Sequence, residues 1–227
     1  MNPIADDVWQ LELLPRNAIN AYLLGDVLVD TGVKQSAGKI TRLLAGREIS
    51  AIALTHAHGD HAGSMKQLAS ELRVPIWCGE ADRPAAESGH VALSATLDRP
   101  GLSNIARAVG AFPGAPIART LAEGDQLAAG FTVLDTPGHS PGHLSFWREA
   151  DRTLICGDVF FNMKLLTTIP GLHQPPSLFT PNPAQNRESE RRLAALEPQT
   201  VGFGHGPVSK DNAARRLSDF VAATPAG

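Results

Sequence analysis

The stretch Thr55-His56-Ala57-His58-Gly59-Asp60-His61 sets three imidazoles and a carboxylate close together, directly after the short apolar run Ile49 to Leu54. In a chain with 8 histidines, His-x-His-x-Asp-His arises by chance on the order of once in a thousand sequences. The apolar run has the pattern of a strand buried on both faces, and helix signals return at Ala62 to Leu72. The motif is therefore predicted on a strand-to-helix loop. His56 and His58, two apart in extended chain, can point the same way. Asp60 and His61 follow the turn at Gly59 and can face a neighbouring ion. Neutral imidazole and carboxylate suit zinc, and also iron or manganese. The lack of thiolates argues against a closed structural zinc site.

One such motif leaves a metal short of ligands, so further donors are expected elsewhere. Three candidates each follow a short predicted strand: His139 in Thr136-Pro137-Gly138-His139-Ser140, Asp158 in Cys156-Gly157-Asp158, and His205 in Gly204-His205-Gly206. The preceding strands are Phe131 to Leu134, Thr153 to Ile155 and Thr200 to Phe203. Ligands are commonly carried on loops at the ends of strands, and the adjacent glycines let backbone approach closely.

Further apolar runs, Val8 to Leu14, Ile19 to Leu24, Val27 to Val29, Pro75 to Cys78 and His143 to Trp147, read as strands. Helices are expected at Gln35 to Ala45, Asp82 to Glu87, Leu102 to Val109, Ala184 to Leu196 and Asp211 to Ala222. Phe160 to Pro183, rich in proline and without a clear period, reads as a long ordered loop of the kind that forms lids or walls. The order suggests two similar α/β halves packed sheet to sheet, within one domain spanning residues 1–227.

The succession H-x-H-x-D-H, TPGHSPGH, CGD and GHG, together with Val29-Asp30-Thr31-Gly32, resembles the metallo-β-lactamase-fold superfamily over about Val27 to Gly206. The resemblance implies an α/β (α+β) fold, a four-layer αββα sandwich with the site at one edge of the paired sheets. It implies that His56, His58 and His139 bind one metal and Asp60, His61 and His205 a second, with Asp158 bridging. Two divalent ions are implied, zinc ahead of iron or manganese. Asp60 would orient, or take the proton from, a bridging water that attacks the substrate. Asp30 would hydrogen-bond within the ligand loop, although an Asp-Thr-Gly turn is also a common connection by itself.

Within that superfamily the sequence is nearest the glyoxalase II-like branch. Gly157-Asp158-Val159-Phe160-Phe161 resembles its Gly-Asp-Thr-Leu-Phe segment, while the Gly-Arg that commonly follows is missing. Lactonases of the fold place a tyrosine shortly after the bridging Asp, where Phe160 and Phe161 stand here. The expected activity is dinuclear hydrolysis of an ester, thioester or lactone in a small, partly hydrophobic substrate. A mononuclear iron sulfur dioxygenase is the alternative. β-Lactamase activity is more distant, because such lactamases usually carry a secretion signal and lack the bridging Asp.

Composition narrows the partners. With 43% hydrophobic and 19% charged residues and a net charge of -3, the chain shows no basic surface for nucleic acid. No run is long enough to cross a membrane, and Asp6 and Asp7 stand where a secretory signal would be basic. A cytoplasmic protein with a small-molecule substrate is expected, and a homodimer is left open. Cys78 and Cys156 read as small buried hydrophobes. His143 reads as a support or a structural residue, His90 as exposed, and His173 as either a substrate contact or a surface residue. The pocket walls are expected from Gly101 to Pro116 and Asn162 to Pro181.

Overall fold

Short strands build two large sheets. In the first, β1 (Asn2–Ala5), β2 (Val8–Glu12), β3 (Asn20–Leu24) and β4 (Val27–Val29) form an antiparallel meander. Then β5 (Ala51–Ala53), β6 (Ile76–Gly79) and β7 (Arg119–Leu121) add in parallel, giving the order β1 to β7. The second sheet has the order β13-β10-β9-β8, from β8 (Thr132–Asp135), β9 (Leu144–Arg148), β10 (Thr153–Ile155) and β13 (Thr200–Gly202). Five helices complete the described chain: α1 (Ala37–Leu43), α2 (Met65–Leu72), α3 (Arg83–Ser88), α4 (Pro183–Ala195) and α5 (Ala213–Ala223). The computed structural model describes residues 1–91 and 110–224, so the helix expected at Leu102 to Val109 lies outside the described residues.

The period-2 alternation decides the layers. Tyr22, Leu24, Val27 and Val29 turn toward Phe131, Val133, Phe146 and Ile155 of the second sheet, forming the central apolar layer. Their neighbours Leu23 and Leu28 turn the other way, with Ile52, onto Ile40, Met65, Leu68 and Ala86 of α1 to α3. On the far side Leu154, Trp147 and Val201 meet Leu193 of α4 and Leu217 of α5. The result is a four-layer αββα sandwich. The halves are unequal, seven strands against four, because the first sheet gains the edge strand β1 and the parallel strands β6 and β7. β1, four residues with a proline, carries no alternation for sequence reading to detect.

Strand direction puts the site at one edge. β4 and β5 run parallel, and β8, β10 and β13 share a direction in the other sheet. Their ends therefore deliver Asp30, Thr55, His139, Asp158 and His205 to the same rim. Tyr22 Oη donates to the Phe203 carbonyl at 2.8 Å and Leu144 N to the Thr55 carbonyl at 2.7 Å, fastening the sheets there. The segment Phe160 to Pro183 corrects its reading as a loop. It contains the hairpin β11 (Phe161–Met163) and β12 (Pro170–His173), whose strands are too short and too proline-rich to show a period.

Candidate metal centre

All seven residues singled out in the sequence converge. His56, His58 and His139 present donor atoms within 4.8 Å of one another, as do Asp60, His61 and His205. Asp158 stands between these groups: its Oδ2 lies 3.8, 3.3, 3.4 and 3.2 Å from Nε2 of His56, His61, His139 and His205. Asp60 has a side chain 38% exposed, with Oδ2 3.3 Å from His205 Nε2.

The surroundings decide which ring nitrogen faces inward. Asp30, held at φ 62°, receives the Thr55 N–H and hydroxyl at 2.8 Å each. Its Oδ2 also accepts His61 Nδ1–H at 2.9 Å. Since the Thr55 hydroxyl donates to Asp30, it can only accept from His56 Nδ1 at 3.0 Å. The Ala18 carbonyl takes His205 Nδ1–H at 2.6 Å. The Thr180 hydroxyl, itself donating to the Pro176 carbonyl, takes His139 Nδ1–H at 3.1 Å. Four rings thus turn Nε2 inward, while His58 offers Nδ1, 3.1 Å from His56 Nε2. His143 supports the cluster from outside: Asp158 N–H donates to its Nε2 at 3.1 Å, and Nδ1 meets Thr136 Oγ1 at 2.9 Å. His90 is exposed, with its Nδ1 2.9 Å from the Ser88 carbonyl.

Sequence reading missed Asp82. Its carboxylate is 1% exposed and accepts Ala57 N–H at 2.9 Å, the Ser140 hydroxyl at 2.6 Å and Gly142 N–H at 2.7 Å. It clamps the H-x-H loop to the loop carrying His139. Its only sequence signal was an acid soon after an apolar strand, at the position read as a helix start. Close packing fixes the glycines too. A Cβ at Gly204 would collide with Asp158 Oδ1, and one at Gly138, which sits at φ 135°, with the Asn186 backbone on α4.

The electrostatics divide the cluster. Burial, reinforced by neighbouring imidazoles, holds His56 and His139 well below the usual histidine range, and burial also lowers His58. Burial would lower His61 and His205 as well, but Asp158 outweighs it. Asp158 is joined by Asp30 and Asp60 around His61 and by Asp60 around His205; both rise, His205 to about 10. Burial would raise Asp158 and Asp60, yet His205 and His61 hold both below the ordinary carboxylate range. Burial pushes His143 down to about 3, leaving it a neutral acceptor.

Divalent metal fits these residues. His139 Nε2 and Asp158 Oδ1 are buried without a hydrogen-bond partner among the described residues, a condition polar groups rarely tolerate. His61 Nε2 and His205 Nε2 both aim inward, 3.4 Å apart and 3.3 and 3.2 Å from Asp158 Oδ2.

Comparison with known proteins agrees with this arrangement. A probable metallo-hydrolase, YflN, of Bacillus subtilis (strain 168) is 33% identical over 86% of this chain and 81% of its own. A hydroxyacylglutathione hydrolase of Bdellovibrio bacteriovorus is 26% identical, covering 82% of this chain and 60% of its own. Among solved structures, TTHA1623 in a di-iron-bound form superposes with a TM-score of 0.68 at 32% identity, covering 93% of this chain and 99% of the other. The BLEG-1 B3 metallo-beta-lactamase does so with a TM-score of 0.69 at 26% identity, covering 93% and 96%. The profile of the metallo-beta-lactamase superfamily matches residues 14–205, and with its fold and its histidine–aspartate cluster this chain belongs to that superfamily.

Proposed function

We propose that the chain is a dinuclear metal-dependent hydrolase that cleaves an ester, thioester or lactone bond. The observation carrying this reading is the position of Asp158 Oδ2 between two three-residue donor groups. His56, His58 and His139 would hold one ion; Asp60, His61 and His205 the other; Asp158 would bridge them. Bound there, the metals supply a lowered water pKa and a Lewis acid for the substrate carbonyl. The protein does the rest. Asp30, Thr55, Thr180 and the Ala18 carbonyl fix the ring tautomers, so that no reorganisation is needed during the reaction. Asp60, with a side chain 38% exposed and ionised, would orient the attacking water and take its proton at a carboxylate oxygen.

The relatives support hydrolysis, and the di-iron form of TTHA1623 keeps iron beside zinc and manganese as the resident metal. The test is elemental mass spectrometry of protein purified without added metal, paired with a panel of esters, thioesters and lactones. About two metals per chain and turnover that a chelator abolishes are expected. One iron per chain with persulfide-dependent oxygen uptake would overturn the reading in favour of a sulfur dioxygenase.

A further inference from the structure

Six large apolar side chains are exposed among the described residues: Leu14, Leu165, Leu166, Ile169, Leu178 and Phe179. Scattered apolar exposure is ordinary, but concentration is not. All six lie on segments fastened to two members of the donor cluster. Leu14 borders the turn whose Ala18 carbonyl holds His205 Nδ1. Leu165, Leu166 and Ile169 cap the hairpin β11–β12. At its base the Phe161 ring packs 4.4 Å from His205 and 6.3 Å from His139, centroid to centroid. The hairpin meets the turn again where Arg16 Nη1 donates to Thr168 Oγ1 at 3.1 Å. Phe179 precedes Thr180, the residue that orients His139. Leu166, 98% exposed, is packed on nothing.

The charge of the hairpin segment is one-sided. Residues 159–187 contain no aspartate or glutamate, while Lys164 is at the hairpin tip and Arg16 at the facing turn. Both are exposed, and neither is ion-paired among the described residues. The hairpin itself sets no carboxylate against an apolar group; the carboxylates nearby are Glu12, which accepts Asn17 N–H at 3.2 Å in the facing turn, and Asp60 at the mouth of the donor cluster. A stable protein interface engages about 20–30 residues a side, far more than these six. Anionic membrane recognition typically uses clusters of about 4–8 Lys or Arg, against two here.

We propose that this rim is an acyl-binding site, so that the preferred substrates are esters or thioesters of medium-to-long aliphatic or aromatic carboxylic acids, the apolar acyl group lying along the hairpin tip. The inference rests on the hydrolase reading and names its substrate class. Water adds across the acyl C–O or C–S bond: the acyl carbon gains the hydroxyl, and the leaving oxygen or sulfur takes the proton. Nothing is oxidised or reduced.

Two measurements on the metal-loaded protein separate this inference from the activity itself. The first is kcat/KM along p-nitrophenyl acetate, butyrate, hexanoate and decanoate. Each CH₂ taken from water gives roughly fourfold at most, so a rise of about twofold or more per added CH₂ is expected until the rim is filled. In Leu166→Asp and Ile169→Asp the decanoate-to-acetate ratio should fall at least tenfold, with the melting temperature held as the fold control. The second is calorimetric binding of decanoate against acetate, which needs no turnover. Decanoate should bind at least tenfold more tightly, and the two variants should lose that margin. A flat chain-length profile beside measurable acetate hydrolysis overturns the inference and leaves the hydrolase reading standing. Absence of turnover across esters, thioesters and lactones alike overturns the hydrolase reading, and the decanoate margin then decides the rim alone. If the same variants abolish sedimentation with anionic phosphatidylserine vesicles and leave decanoate binding intact, the rim is a membrane contact and the acyl proposal fails.

Discussion

The two donor groups differ in how their charge is balanced. Burial lowers His56, His58 and His139, reinforced by neighbouring imidazoles at His56 and His139 and opposed by Asp60 and Asp82 at His58. His61 and His205 sit among Asp30, Asp60 and Asp158, which keep them protonated when no metal is bound. The supports differ as well. Behind the first group Asp82 grips backbone and a hydroxyl, two N–H groups and Ser140, and touches no ligand ring. Behind the second Asp30 bonds His61 directly. One half of the cluster is therefore preorganised by geometry and the other by charge, with Asp158 shared between them.

Removing the shared oxygen should have the largest effect. Asp158→Ala is expected to drop metal content from about two per chain to one and to reduce hydrolysis by more than the roughly 10- to 100-fold typical of losing an outer partner. The ion lost should be that of the second group, because three neutral imidazoles remain to hold the first. Unchanged stoichiometry by elemental mass spectrometry would remove Asp158 from its bridging role.

The supports give a reciprocal pair of smaller effects. Asp30→Asn turns one acceptor into a donor opposite His61 Nδ1–H and the Thr55 hydroxyl. It should weaken the second ion by about 10- to 100-fold. Asp82→Ala leaves the Ala57 and Gly142 N–H groups buried without partners, costing about 1–3 kcal/mol each in stability. It should loosen the first ion instead. Competitive chelator titrations read both affinities; if the two variants weaken the same ion, the division of labour is wrong.

This asymmetry also shows what was legible in the sequence. The seven candidate donors and most strands and helices were readable, though not β1 or β7, because spacing within H-x-H-x-D-H and apolar runs before His139, Asp158 and His205 act locally. Asp82, Thr180 and the Ala18 carbonyl were not readable. Each matters only through contacts with residues 25, 41 and 187 positions away, made by the fold. The hairpin β11–β12 escaped for another reason: paired strands of three and four residues, one opening on Pro170, carry too little pattern to register.

Metal binding to the apoprotein should separate the groups by pH. An ion entering among His61 and His205 must displace protons that those rings hold up to raised pKa values, near 10 for His205. Its affinity should climb about tenfold per pH unit for each proton displaced, between pH 6 and 8. The ion at His56, His58 and His139 meets rings already neutral and should vary far less. Calorimetry in two buffers of different ionisation enthalpy counts the protons released by each equivalent. Equal proton release by both would erase the distinction.

The smallest effect concerns what stands behind the first group. Glu190 on α4, 1% exposed, is pushed up to about 7 by burial, against hydrogen bonds from Gln174 and Asn186 that pull it down. Asn186 in turn packs against Gly138, next to His139. The folded state thus keeps a proton that the unfolded chain releases near pH 4.5, so stability is fullest below that pH and declines as pH rises toward 7. The decline is at most about 3 kcal/mol and levels off above pH 7. Glu190→Gln, neutral at every pH, should flatten this slope and melt higher than the parent chain at pH 8, while first-site metal affinity stays independent of pH in both. Melting curves of the metal-free protein from pH 5 to 8 test it. A slope that survives the substitution would mean that the pH dependence arises in the donor cluster, among the protonated rings of the second group.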